Sequence, residues 1–319
     1  MEPYTIAWDL PVIGTQHAVR TPWATIIPPG RRVVAILDNS GASARTGALQ
    51  NISVVSTLSQ ALTHCESGRG DHILVMPGHS ESVAVTTMLA NLVNDTHIVG
   101  VGSPDEDSAP TFRWTGQDAK WSVSKKNCSF ENLRLKFEGA NDITEAIGVS
   151  AAGVKFLRNW MLTGSGASND CVRVIDVEAN ADDFVFAGNK VAQTAGTTTA
   201  VLNFGAAVAR PSVVGNVMNV IGSSATAGAI DISAAITQAV IADNQLSNEA
   251  TDATTCIKIA DVAATGHVLR NLMRVLVAGN AYAEGILLAG STNLLLGFFN
   301  NYCVDEKSKS GVLTPVVGT

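Results

Sequence analysis

Asp176, Glu178, Asp182 and Asp183 place four carboxyl groups within eight positions. Acids at that density suggest two chemistries. Glycoside cleavage uses a pair of carboxyl groups roughly 5–10 Å apart, one supplying a proton and the other acting as base or nucleophile. A polysaccharide lyase instead holds Ca²⁺ in a cage of several acids. Arg173, Arg210 and Lys258 are the bases available to partner them. The bland alternative is a set of solvated turn acids. His79-Ser80-Glu81 contains the residue types of a nucleophile and its base. Three consecutive residues after a strand point in different directions, however, so this segment reads as a turn rather than a triad. Asp105-Glu106-Asp107 reads as a solvated loop tip, with cation binding the sharper alternative. The cysteines (Cys65, Cys128, Cys171, Cys256 and Cys303) are widely spaced, with no CxxC pair, and read as buried apolar thiols. No histidine pair has HExxH spacing. No metal and no cofactor is assigned.

The elements that would position these groups follow from a repeat. An asparagine closes an apolar stretch at Asn132, Asn159, Asn189, Asn216, Asn244, Asn271 and Asn300, with steps of 27, 30, 27, 28, 27 and 29 residues. A short apolar-x-apolar strand precedes most of them, as in Ile147-Gly148-Val149, Val172-Arg173-Val174, Ile230-Asp231-Ile232, Ile257-Lys258-Ile259 and Ile286-Leu287-Leu288. No repeat holds a ten-residue helical stripe. Short strands in a unit too small to bury its own face describe a coil of a β-solenoid. The expected architecture is all-β, a parallel β-helix of about seven to eight coils, each rung about 4.8 Å from the next. The recurring asparagine is expected at a tight left-handed turn, its amide bonded to the asparagine of the adjacent coil. Asp231 then faces outward and meets an acid two coils away only across about 9–10 Å.

The rod needs caps. Val54, Leu58, Ala61, Leu62 and Cys65 form a helical stripe over residues 54–66, followed by Gly68 and Gly70. Residues 1–40 are expected to be an extended N-terminal arm, 41–72 a strand and capping helix, 73–303 the β-helix and 304–319 a tail. Five prolines fall within residues 1–30, together with Tyr4, Trp8 and Trp23. Those three aromatic residues are the candidates for contact with a capsid or a partner chain.

The composition narrows the function. Of 319 residues, 15% are charged, and the formal net charge is −7. The acidic balance, with no cluster of Lys and Arg, argues against nucleic-acid binding. No run approaches the roughly 18 apolar residues of a membrane span, and Met1-Glu2-Pro3-Tyr4 opens no signal peptide, so folding in a cytoplasm is expected. Residues 191–300 carry only ten charged side chains in 110 positions. A lone soluble rod should show more, so at least one flank is expected to pack against copies of the same chain.

Gly70-Asp71-His72-Ile73-Leu74-Val75-Met76-Pro77-Gly78-His79-Ser80-Glu81 resembles a motif of bacteriophage particle proteins of the pectin-lyase-like β-helix type. Ile98-Val99-Gly100-Val101-Gly102, Ala109-Pro110-Thr111-Phe112-Arg113-Trp114 and the segment from Asn127 to Phe137 are similar to further pieces of that pattern. The resemblance spans about residues 50–303. It implies a right-handed parallel β-helix, usually a homotrimer. The resulting expectation is a structural virion protein, a decoration, cement or vertex subunit on the capsid surface. Its partners would be itself and the major capsid protein or another virion protein, with no nucleic acid and no membrane. The runner-up is a tailspike that binds or cleaves host surface polysaccharide. It is weakened because all five tryptophans lie at or before residue 160, leaving few aromatic platforms for sugars. A secreted pectate-lyase-like enzyme fits least, for want of a signal peptide and a Ca²⁺ cage.

Overall fold

The computed structural model describes residues 32–39, 52–138, 143–163, 171–192, 200–220, 228–249, 255–260, 263–275, 284–288, 295–305 and 311–312. Tyr4, Trp8 and Trp23 lie outside the described residues, as do most of the segments assigned to the arm and tail. The chain winds into a parallel β-solenoid of about seven turns. One turn shows the plan: Cys171–Val177 lies in a sheet we call C, Val185–Ala187 in sheet A and Lys190–Ala192 in sheet B, before Ala200–Phe204 returns to C. Each strand pairs in parallel with its copy one turn earlier and one turn later.

Alternation makes this possible. In sheet A, Phe130, Phe156, Phe186, Val213, Ile241 and Val268 share one register position, point inward and are buried. Phe130 and Phe156 stack with centroids 4.9 Å apart, which is the rung spacing itself. Sheet C supplies Ile147, Ile175, Leu202, Ile230 and Ile257, and sheet B supplies Leu135, Met161, Val191, Met218, Leu246 and Met273. No strand buries these faces alone. Stacking makes one continuous core.

The solenoid begins earlier than expected. Arg32–Leu37, within the segment read as arm, is a strand of sheet A paired with Asp71–Val75. The capping helix is shorter than its stripe suggests. It spans Leu58–Leu62, with Thr57 as N-cap accepting from the Gln60 N–H. Val54 belongs instead to the strand Ser53–Val55. Leu58, Ala61 and Leu62 are buried, closing the apolar end of the rod.

Asparagine runs along the A-to-B corner, displaced from its expected place at both ends. Asn159, Asn189, Asn216, Asn244, Asn271 and Asn301 form the column, buried to 1% exposure or less. Each of the first five donates from Nδ2 to the Oδ1 of the next at 2.9–3.1 Å, and that Oδ1 also accepts the preceding residue's own backbone N–H. Asn132 and Asn300 are not in the column. They occupy the residue before it, which has positive φ: 57° at Asn132, 53° at Arg158, 64° at Gly188, 66° at Gly215, 57° at Asp243, 53° at Arg270 and 51° at Asn300. The left-handed turn and the amide ladder are therefore adjacent columns, not one. Leu133 takes the first ladder position, and its N–H donates to Asn159 Oδ1. Asn132 Nδ2 instead closes on the Gly100 and Gly102 carbonyls.

Candidate functional site

The outward face of sheet C carries a polar column. Gly148, Asp176, Asn203, Asp231 and Lys258 follow one another in register, one coil apart. Alternation forces them out, because each lies between two inward apolar residues, as Asp231 does between Ile230 and Ile232. Beside this column, Arg173, Asp176, Glu178, Asn203, Gly205, Ala206 and Ser233 line an open groove of about 260 Å³. Gly205 keeps it open: a Cβ there would sit 3.0 Å from Asn203 Nδ2 and 3.1 Å from Asp176 Oδ1.

The four acids singled out by sequence separate into two places. Asp176 and Glu178 are in the groove. Asp176 accepts from Arg173 at 3.0 Å and from Asn203 Nδ2 at 2.6 Å. Glu178 takes a hydrogen bond from Lys120 Nζ at 3.1 Å. Asp182 and Asp183 lie at the C-to-A corner and build the turn. Asp182 Oδ1 accepts the Ala209 N–H at 2.8 Å. Asp183, left-handed at φ 57°, holds Arg210 one coil above through bonds of 2.6 and 2.8 Å. Hydrogen bonding from Arg210 lowers the Asp183 pKa.

Glu145 and Lys120 belong to the site although sequence reading passed them over. Lys120 Nζ lies 2.7 Å from Glu145 and 3.1 Å from Glu178. Burial works against the Lys120 charge, but its bonds to the two glutamates outweigh that and raise its pKa. Burial raises the Glu145 carboxyl. Gly148 leaves room for this bridge, since a Cβ there would collide with both Glu145 Oε1 and Lys120 Nζ. The signal was in the register. Glu145 pairs with Arg173, so counting one repeat back from that base finds it, and Lys120 lies one rung further back, just before Trp121, the partner of Ile147.

Asp231 differs from Asp176 and Glu178. Burial raises its pKa, and its Oδ1 is buried with no hydrogen-bond partner. Its other oxygen is 3.9 Å from Lys258. Asn203 separates it from Asp176, so the two carboxyl groups stand two rungs apart, about 9–10 Å.

The remaining candidates do not converge. His79 is fully buried, while Ser80 opens the sheet B strand Ser80–Val83 and is exposed. Glu81 accepts the Leu58 N–H at 2.9 Å and lies 3.3 Å from His79 Nε2, tying the capping helix to the first coil. Asp105 is exposed, 4.0 Å from Lys190. Among the described residues no three His, Cys, Asp or Glu side chains come together as metal ligands. No disulfide joins the cysteines, and burial pushes the Cys65 and Cys128 thiols up to about 11.

Fold and site together define a parallel β-solenoid, an architecture compatible with the pectin-lyase-like β-helix, bearing a charge-paired groove on one flank. No family model, curated protein or solved structure matches the chain at a significant level.

Proposed function

We propose that the chain is a structural virion protein: a homotrimeric β-helix on a phage capsid surface, acting as decoration, cement or vertex subunit, bound through residues 1–40 and assembled in the host cytoplasm. One observation carries the structural reading. Every acid the sequence offered for catalysis is engaged by a neighbour: Asp176 by Arg173 and Asn203, Glu178 by Lys120, Asp182 by the Ala209 N–H and Asp183 by Arg210. Acids spent this way clip one coil to the next. The virion setting rests on the resemblance of residues 70–81, 98–102, 109–114 and 127–137. Deleting residues 1–30 is expected to leave the rod folded, by circular dichroism, and to remove it from purified particles. Undiminished incorporation overturns the docking claim.

A second reading, polysaccharide cleavage by a tailspike, is favoured by Asp231 alone. A carboxyl group held toward its protonated form, about 9–10 Å from Asp176, has the separation of the carboxyl pair of an inverting glycosidase. Incubation with host capsule or lipopolysaccharide distinguishes the two readings. Oligosaccharide release that is lost in both Asp231→Asn and Asp176→Asn would establish the enzyme, and no release from the wild-type chain removes it.

A further inference from the structure

We infer that the A-to-B corner of the upper coils is a seam between copies of this chain, with parallel rods meeting in register about a threefold axis. The inference rests on the homotrimeric reading above and assigns it a surface.

Among the described residues six large hydrophobic side chains are exposed, and five of them gather here: Val217, Val240, Leu272, Phe299 and Tyr302, at 37–57% exposure. Val217, Leu272 and Tyr302 share a register column with Gln245, each following a ladder asparagine. Phe299 and Val240 lie just across the corner on sheet A. Such a patch is normally covered.

Charge and repeat indicate what covers it. The left-handed column of the upper corner carries one acid and one base, Asp243 and Arg270, one coil apart and bonded at 2.7 Å through Nε and Nη2 of the arginine. A copy turned about a parallel axis presents Val217 to Val217, Leu272 to Leu272 and Tyr302 to Tyr302. Each Arg270 then lies as near the neighbour's Asp243 as an adjacent rung allows, so this pair adds no net charge to the meeting. A foreign surface would need the same rung spacing of about 4.8 Å over four coils. The lower coils of this corner cover their own outward column, with Trp160 between Arg134 and Lys190, and among the described residues expose no large hydrophobic side chain there. The seam therefore ends between Lys190 and Val217. Parallel alignment also puts every N-terminal arm at one end, as docking to a shell requires.

The full-length chain and its Leu272→Glu/Phe299→Glu variant are compared by light scattering, with amide hydrogen exchange of the ladder amides as the control for folding. A trimeric wild type and a variant weakened at least about 100-fold in association, with unchanged exchange, support the seam. A variant that stays trimeric overturns the seam and leaves the trimer standing. A monomeric wild type overturns both. A second arm avoids charge insertion. The native cysteines are buried, so a bismaleimide reads a new thiol. Leu272→Cys should cross-link to itself, and Glu178→Cys on the sheet C flank should not. Cross-linking of Val217→Cys to Tyr302→Cys in mixed samples, without Leu272→Cys self-linking, means antiparallel pairs and overturns the arrangement.

Discussion

Arg134, Trp160 and Lys190 occupy the same column of sheet B as Val217, Gln245, Leu272 and Tyr302. The lower stretch covers itself. The Arg134 guanidinium lies 4.7 Å from the Trp160 ring centre on one side and Lys190 Nζ 4.9 Å away on the other. Arg134 is held there by a 3.0 Å bond to the Pro104 carbonyl. Among the described residues the upper stretch has no such cover, and Val217, Leu272 and Tyr302 face outward and exposed. A solenoid backbone supplies identical slots at each rung. Side-chain choice alone decides whether a rung is finished within its own chain or completed by another.

The ladder runs beneath both stretches and gives the largest expected effect. Asn189→Ala in the lower coils and Asn244→Ala in the upper coils each remove a buried amide with both ends bonded. Each should cost about 3–5 kcal/mol in urea unfolding of dissociated chains, because partners one coil away are left unsatisfied. Similar losses at the two sites would show that the difference between stretches is confined to the surface. A loss below about 1 kcal/mol at either would break the ladder argument.

Trp160→Ala comes next, at about 1–2 kcal/mol from the two cation–ring contacts and the lost packing. Leu272→Ala, in the matching upper slot, should stay within about 0.5 kcal/mol in dissociated chains, because its side chain is 45% exposed among the described residues. Equal effects in the same denaturant experiment would erase the distinction drawn here.

Asp231→Asn tests the third flank. Burial raises the folded pKa of this acid above its unfolded value, so the native state binds the proton more tightly. Its contribution is most favourable below the ordinary value of 3.8 and is lost as pH rises through the folded pKa. The amide should therefore raise stability at pH 7 by up to about 1 kcal/mol and flatten the fall in stability above pH 4. A midpoint that drops at pH 7 would mean that the Lys258 contact outweighs the unpartnered oxygen.

Arg210→Met and Arg270→Met give the smallest effects, since both clips are exposed. Bonding to arginine lowers the pKa of Asp183 and Asp243, so the stabilisation is present above the ordinary carboxylate value of 3.8 and fades as pH falls through the lower folded values. The midpoint difference from wild type should shrink both in acid and in high salt. A difference that grows in acid would contradict the assignment.

The 27–30-residue spacing and the apolar-x-apolar strands determined the coil, the stacking and the outward aspect of Asp231, because a period-two strand has only two faces. The same arithmetic carried the asparagine column to within one residue. It could not separate the ladder from the left-handed column beside it at Asn132 and Asn300, where both positions are open to the same residue type. Tertiary structure decided the rest. Asp176 and Glu178 parted from Asp182 and Asp183 because a corner intervenes between residues adjacent in the chain. Glu145 and Lys120 joined Glu178 because stacking brings together residues one and two coils apart. Sequence distance along one coil is a poor measure of separation in a solenoid. The rung above, about 4.8 Å away, is nearer than the next corner of the same coil.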